Sequence, residues 1–150
     1  TSMINMIEGF SFNSDKQLLV TLDIVSLYTC IPQTDCISIV ENLLNQREAP
    51  VQIPTWFIIE LLSIALKENY FKYDNRFFNQ CSGTSMGAIF APTIANIYVD
   101  DFEHQYVYSD RNPFRSSIIR WHRYIDDIFL IWENTEEALL SPIYIRCNNF

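Results

Sequence analysis

Basic residues are scarce in this chain. It has 10 Lys and Arg against 18 Asp and Glu, a formal net charge of −8 over 150 residues. Phosphate neutralisation supplies much of the affinity of a free-standing nucleic-acid binder, so this balance, taken alone, argues against that class. Long apolar runs are missing too. Those present are short and interrupted, which excludes a membrane span from hydropathy. The opening residues, TSMINMIEGF, show no basic segment followed by an apolar one and do not read as a signal peptide. The chain starts without Met and reads as a fragment. Its four cysteines, Cys30, Cys36, Cys81 and Cys147, form no C-x-x-C pair and have no His partners at zinc-finger spacing. Reduced, partly buried thiols of an intracellular protein are the expectation. There are no repeats, no low-complexity tracts and no composition shift that would mark a domain boundary. Glycine is scarce: Gly83 and Gly87 are two of only three.

What is present suits one folded domain. The chain is 49% hydrophobic and 15% aromatic, enough for a core. Leu18 to Leu22 is a short β-branched and apolar run that predicts a central strand ending at Asp23, and Pro32 closes that segment. Ile37, Val40, Leu43 and Leu44 share one face of a helix that Thr34 or Asp35 can cap. Pro50 and Pro54 bracket a linker, and the next helix, TWFIIELLSIALKEN, is apolar on most sides and is expected to be buried. YFKYDNRFFNQ predicts a hairpin turning at Asp74-Asn75. CSGTSMG, with Gly83 and Gly87, can bring backbone close to a ligand or another element. A helical period then runs from Met86 through Phe102, with Pro92 in its first turns. SSIIRWHRYIDDIFLIWE predicts strand, turn, strand.

Two tetrapeptides have nearly the same pattern: Tyr98-Val99-Asp100-Asp101 and Tyr124-Ile125-Asp126-Asp127. The first falls near the end of a helix, where adjacent side chains diverge by roughly 100° and do not converge on one ion. Its neighbour Glu103 suggests a solvated helix face. The second falls at a hairpin tip between strongly apolar strands, where carboxylates are costly without a cation or hydrogen bonds. Asp23, at the end of another strand, supplies a third carboxylate. Strand-end carboxylates from distant parts of the chain can meet in one sheet and hold two divalent ions about 4 Å apart, the arrangement of in-line phosphoryl transfer. Magnesium, which takes few carboxylates together with water and substrate phosphates, suits so sparse a ligand set.

These residues resemble a known family. LVTLDIVSLYTCIP, NQCSGTSMGAIFAPTIANIY and RYIDDIFLIW look like the A, B and C motifs of reverse transcriptases, at about residues 18–32, 80–98 and 120–132 of a partial domain spanning 1–150. Their order and spacing look most like Penelope-like retroelements, relatives of telomerase. The resemblance implies an α/β (α+β) fold, the palm of a polymerase right hand with part of the fingers, its antiparallel sheet backed by helices. It also implies RNA-directed DNA polymerisation, with an RNA template, a DNA primer and deoxynucleoside triphosphates as partners of the parent protein. Asp23 and Asp126 would bind two Mg2+ ions (Mn2+ as the alternative), Asp127 would support the site, and the backbone of Ile24 would add a metal ligand. Tyr28, five residues after Asp23, would stack under the incoming sugar and exclude ribonucleotides. Gln80, Gly83, Thr84 and Gly87 would lie against nucleotide and template.

Ordinary structural readings stand beside these roles. Tyr28 also reads as a core aromatic, Gly83 and Gly87 as loop and helix-start residues, and Gln80 as a surface strand residue. Arg120, His122 and Arg123 read either as primer-phosphate contacts or as an exposed strand face. The YFKYDNRFF aromatics read as hairpin packing or as a stacking platform for bases. The resemblance also implies missing parts. The basic fingers segments upstream and the lysine-bearing motif, primer grip and thumb downstream are absent, residues 138–150 depart from the family pattern, and the endonuclease domain common in the family does not follow. The isolated chain is therefore expected to be inactive, and a nuclear location is expected for the parent element. Two alternatives stay open: a non-catalytic remnant of a decayed element, and a palm-fold module for RNA or protein binding.

Overall fold

The computed structural model describes residues 10–48 and 52–139. The chain divides into two compact units, residues 1–25 with 106–150, and residues 26–105.

The first unit is built on a three-stranded antiparallel sheet of β1 (Leu18–Asp23), β4 (Ile118–Tyr124) and β5 (Asp127–Trp132), in the order β1-β5-β4. β1, expected to be central, is an edge of this sheet, and β5 takes the centre. The burial patterns show why. β1 alternates, with Leu18, Val20 and Leu22 half-buried and Leu19, Thr21 and Asp23 exposed, as a strand covered on one face must. β5 is a continuous apolar run with Ile128, Leu130, Ile131 and Trp132 buried. The core gathers Leu130, Trp132 and Leu139, with Leu18, Val20, Leu22, Phe114, Ile118 and Trp121 packed against them. Phe114 tilts against Trp132 at 6.2 Å between ring centres. A short 3-10 turn, Arg115–Ser117, leads into β4.

The second unit contains α1 (Leu27–Cys30), α2 (Gln33–Asn45), α3 (Thr55–Lys67), the hairpin β2 (Tyr70–Tyr73) and β3 (Arg76–Asn79), and α4 (Ala91–Phe102). α2 lies against α3 and α4, and α1 against α4. The side-chain cap expected of Thr34 or Asp35 is absent. α2 starts at Gln33 after Pro32, and the Thr34 hydroxyl donates to the Asp35 carboxylate at 3.2 Å instead. Cys36 and Val40 face inward, and burial pushes the Cys36 thiol up to about 11. Cys30 and Cys81 are exposed free thiols, and Cys147 lies outside the described residues.

α3 corrects a second expectation. Only Leu66 is fully buried, while Trp56, Phe57, Leu61 and Ile64 are exposed. A helix apolar all round needs cover on every side, and packing against α2 supplies it on one. The hairpin forms as expected, with Asp74 and Asn75 at φ +47° and +57°, the paired left-handed conformation of a tight primed turn. Its two strands are exposed along their whole length. Phe71 stacks on Phe78 at 5.6 Å, and the Lys72 ammonium sits 5.8 Å from the Phe77 ring centre. α4 begins at Ala91 rather than near Met86, with Pro92 in its first turn where the missing N–H costs nothing. Ala91, Ile94, Ala95 and Val99 form its buried stripe. The residue after its end, Glu103, is buried at 5% exposure, so the solvated face expected there is not what the chain adopts. A π-helical turn, Glu103–Val107, continues the backbone. No helix among the described residues is long and apolar enough to cross a membrane.

Candidate active site

In the first unit, strand register decides which carboxylates meet. Asp23 closes β1 and Asp127 opens β5, and the two are directly opposed Cα partners in the antiparallel ladder. Asp127 is also paired with Tyr124 at the end of β4. Directly opposed residues share a face of the sheet, so Asp23, Asp127 and Tyr124 line up at one end of all three strands. Asp126 occupies the turn between β4 and β5, and the Ile24 N–H donates to its carbonyl at 3.0 Å. Arg123 donates to the Ile125 carbonyl at 3.2 Å and braces the same turn.

That turn is strained. Ile125 has φ +58°, a left-handed conformation that a β-branched side chain disfavours by about 1–2 kcal/mol. A two-residue hairpin with positive φ at its first central position ordinarily has glycine there. Strain of this kind persists only where the surroundings over-determine it. Here the pairing of β4 with β5 and the Ile24–Asp126 bond do so.

Asp23 and Asp127 are exposed and Asp126 is half-buried. Like charges directly opposed across a ladder repel by some tenths of a kcal/mol, and a cation between them reverses the sign. The donors are hard oxygens, few in number, which is the chemistry a magnesium-sized ion prefers when water and phosphate complete its shell. Among the described residues, however, no three His, Cys, Asp or Glu side chains are drawn into a closed cluster able to hold an ion by themselves. The arrangement fits a shared divalent ion that also needs substrate oxygens, and does not fit a structural metal cage.

The lookalike pair behaves differently. Asp100 and Asp101 lie in the last turn of α4. The Asp100 carboxylate is 3.6 Å from His104 Nδ1, whose ring nitrogen also lies 2.8 Å from the Asp100 carbonyl. Gln105 Nε2 donates to the Asp101 carboxylate at 2.6 Å. Both acids are taken up by neighbours one helical turn on.

Along β4, Arg120 stacks over the Phe10 ring at 5.3 Å and donates to the Ile119 carbonyl, while His122 is half-buried with its Nε2 enclosed.

The second unit holds the other residues singled out from sequence. Tyr28 is half-buried on α1, just after Ser26 at φ +56°. The Gly83–Gly87 loop is docked onto that turn backbone to backbone. Gly83 N–H donates to the Ile31 carbonyl at 3.1 Å and Thr84 N–H to the Tyr28 carbonyl at 2.6 Å. Gly83 has φ +72°, and a Cβ there would lie 2.5 Å from the Tyr28 carbonyl oxygen and 2.6 Å from Thr29 Cα. Only glycine permits this approach, and the close neighbour is the chain itself. Gly87, at φ +96°, faces open space. Thr84 is buried at 1% exposure with its hydroxyl unpartnered. The Gln80 side chain turns inward, accepting from Asn69 Nδ2 at 3.0 Å and donating to the Ser82 carbonyl at 2.9 Å.

One residue of this loop system escaped sequence reasoning. Gln33 donates through Nε2 to the carbonyls of Leu66, Gln80 and Gly83 at 3.0, 3.3 and 3.0 Å. A glutamine after a proline in the first turn of an amphipathic helix reads as solvated, and no local signal separates it from one that reaches inward.

The reverse transcriptase (RNA-dependent DNA polymerase) family matches residues 3–147. The chain belongs to that family. Its fold is similar to two solved structures. The first is apo telomerase from Candida tropicalis truncated from the C-terminal domain, at TM-score 0.62 and 13% identity over 86% of this chain and 26% of that one. The second is apo telomerase from Candida tropicalis, at TM-score 0.64 and 11% identity over 87% and 25%. This chain thus spans about a quarter of the length of the solved structures it matches. No curated protein matches the sequence.

Proposed function

We propose that the chain is the palm, with part of the fingers, of a Penelope-like retroelement reverse transcriptase. The parent enzyme adds deoxynucleotides to a primer 3′-hydroxyl as directed by an RNA template. The hydroxyl oxygen attacks the α-phosphorus of the incoming triphosphate, the bond to the bridging oxygen breaks and pyrophosphate leaves. The observation that carries this reading is the register that opposes Asp23 to Asp127 while Ile24 N–H holds the Asp126 carbonyl. Asp23, Asp126 and Asp127, with the Ile24 carbonyl, would hold divalent ions, Mg2+ in the first place, which lower the pKa of the attacking hydroxyl and offset charge on the leaving group. The rigid β4–β5 turn fixes the acids before substrate arrives, and such positioning is a large share of catalysis. Tyr28 is the ring against which a ribose 2′-hydroxyl would clash.

The Penelope-like assignment rests on Ser26-Leu27-Tyr28-Thr29 with Ile31-Pro32, then Gly83-Thr84-Ser85-Met86-Gly87, then Ala91-Pro92 and Ala95-Asn96, in this order and with the long spacing between the first two groups. A nuclear location of the parent is part of the same proposal. The chain alone, a quarter of the length of its solved relatives, is proposed to extend primers poorly. Primer extension on an RNA template, comparing this chain with the full-length polymerase in the presence and absence of Mg2+, tests both statements. Magnesium-dependent extension by the full-length enzyme only is the expected result. RNA binding that needs no magnesium and survives Asp126→Asn, without extension, would replace the reading with that of a binding module.

A further inference from the structure

The Gly83–Thr84 peptide unit is held from both sides. Its carbonyl accepts from Gln33 Nε2 at 3.0 Å, and its N–H donates to the Tyr28 carbonyl at 2.6 Å. The two groups belong to one planar amide and point in opposite directions, so Gln33 and the Tyr28 backbone are joined through a single rigid plate. The contact has no slack, because Gly83 already sits where even a methyl group would overlap the Tyr28 carbonyl and Thr29 Cα. The same Gln33 nitrogen also holds the Leu66 carbonyl, in the last turn of α3 where helical partners run out, and the Gln80 carbonyl at the entry to the glycine loop. Three oxygens around one terminal atom require that atom to be the NH2 rather than the carbonyl oxygen. Two hydrogens serve the two carbonyls at 3.0 Å, and the one at 3.3 Å is shared.

We propose that Gln33 is a positioning residue for nucleotide selection, setting the height of the Tyr28 ring and of the Gly83–Gly87 loop through the Gly83–Thr84 peptide. The proposal rests on the reading of Tyr28 as the ring that meets the incoming sugar, and it adds a residue that touches no substrate. Two substitutions of nearly the same shape separate donor chemistry from packing. Gln33→Met removes the donor, and Gln33→Glu places carboxylate oxygens against three carbonyl oxygens.

The test is single-nucleotide incorporation by the full-length polymerase, with kcat and KM measured for a deoxynucleoside triphosphate and its ribonucleotide counterpart. Gln33→Met is expected to raise the deoxynucleotide KM and cut the deoxy-over-ribo preference by about tenfold, the worth of one good hydrogen bond expressed as a ratio. Gln33→Glu should do more, and Tyr28→Val should abolish most of the preference. Partial unfolding would lower the active fraction and so depress kcat for both nucleotides, leaving KM and the ratio where they were. An unchanged KM and ratio in Gln33→Met, alongside collapse of the preference in Tyr28→Val, would reduce Gln33 to a structural part and overturn the inference. An unchanged ratio in Tyr28→Val would remove the sugar reading itself, and the inference with it. Amide exchange on this chain gives an independent measure. The Thr84 N–H should exchange about tenfold faster in Gln33→Met, with α4 amides unaffected, and equal protection would show that the plate does not couple the two residues.

Discussion

Tyr98-Val99-Asp100-Asp101 and Tyr124-Ile125-Asp126-Asp127 differ by one methylene in their second residue and by almost everything in their surroundings. On α4, Val99 is buried, and the two acids diverge and are satisfied by His104 and Gln105. On the β4–β5 hairpin the second residue is forced to positive φ, and the two acids flank the point where β1 arrives with a third. Composition alone does not make a carboxylate chemical. Like charge brought face to face by a ladder leaves an electrostatic demand that two acids diverging around a helix terminus do not create.

The comparison breaks most sharply at activity. In the full-length polymerase, Asp126→Asn should reduce primer extension well beyond the roughly 100-fold that loss of a group merely supporting a metal ligand produces, while Asp100→Asn stays within about twofold of wild type, because Asp100 is a surface acid paired with His104 on its own helix and substitutions at such positions are near neutral. Comparable losses from both would mean that the two pairs are not distinct. Asparagine at the second position of each motif should move stability in opposite directions. Val99→Asn buries an amide in an apolar stripe and should cost about 3 kcal/mol, whereas Ile125→Asn relieves a strained left-handed residue and should gain about 1 kcal/mol. Denaturant midpoints of this chain read both signs.

Magnesium sharpens the contrast further. Bound together with a deoxynucleoside triphosphate that completes its shell, at ten times its dissociation constant, it should add about 1.4 kcal/mol to the unfolding free energy beyond the nucleotide alone, seen as a rise in Tm that Asp127→Asn removes and Asp101→Asn leaves intact. The smallest effects are metal-free. Asp127→Asn should stabilise the apo chain by about 0.5 kcal/mol through lost repulsion with Asp23, and Asp100→Asn should cost about 0.3 kcal/mol through the exposed His104 pair. Equal signs in those two variants would remove the claim that the hairpin acids repel.

The local elements were legible because their determinants are local. The β1 boundary at Asp23, the Asp74-Asn75 turn and the Asp126 hairpin all follow from side-chain period and turn chemistry. What failed was non-local. β1 looks central because its residues are β-branched, but the choice of centre is made by β5, whose two faces are both apolar. α3 looks buried because it is apolar, yet the neighbour that covers one side leaves Trp56 and Leu61 in the open. Glu103 looks solvated by charge and is enclosed. Gln33 could not be found at all, since its partners lie 33, 47 and 50 residues away and are main-chain carbonyls with no sequence signature.

The β2–β3 ribbon carries a consequence for handling the protein. Tyr70, Phe71, Tyr73, Phe77 and Phe78 are all exposed, Phe77 at 75%, on an element that, among the described residues, has only two strands and leaves its outer edges unpaired. Free strand edges flanked by aromatic side chains are templates for further strands. Lys72, Asp74 and Arg76 are the only charges the ribbon offers as gatekeepers. Concentration, ionic strength and time in solution therefore act on this segment before they act on the fold.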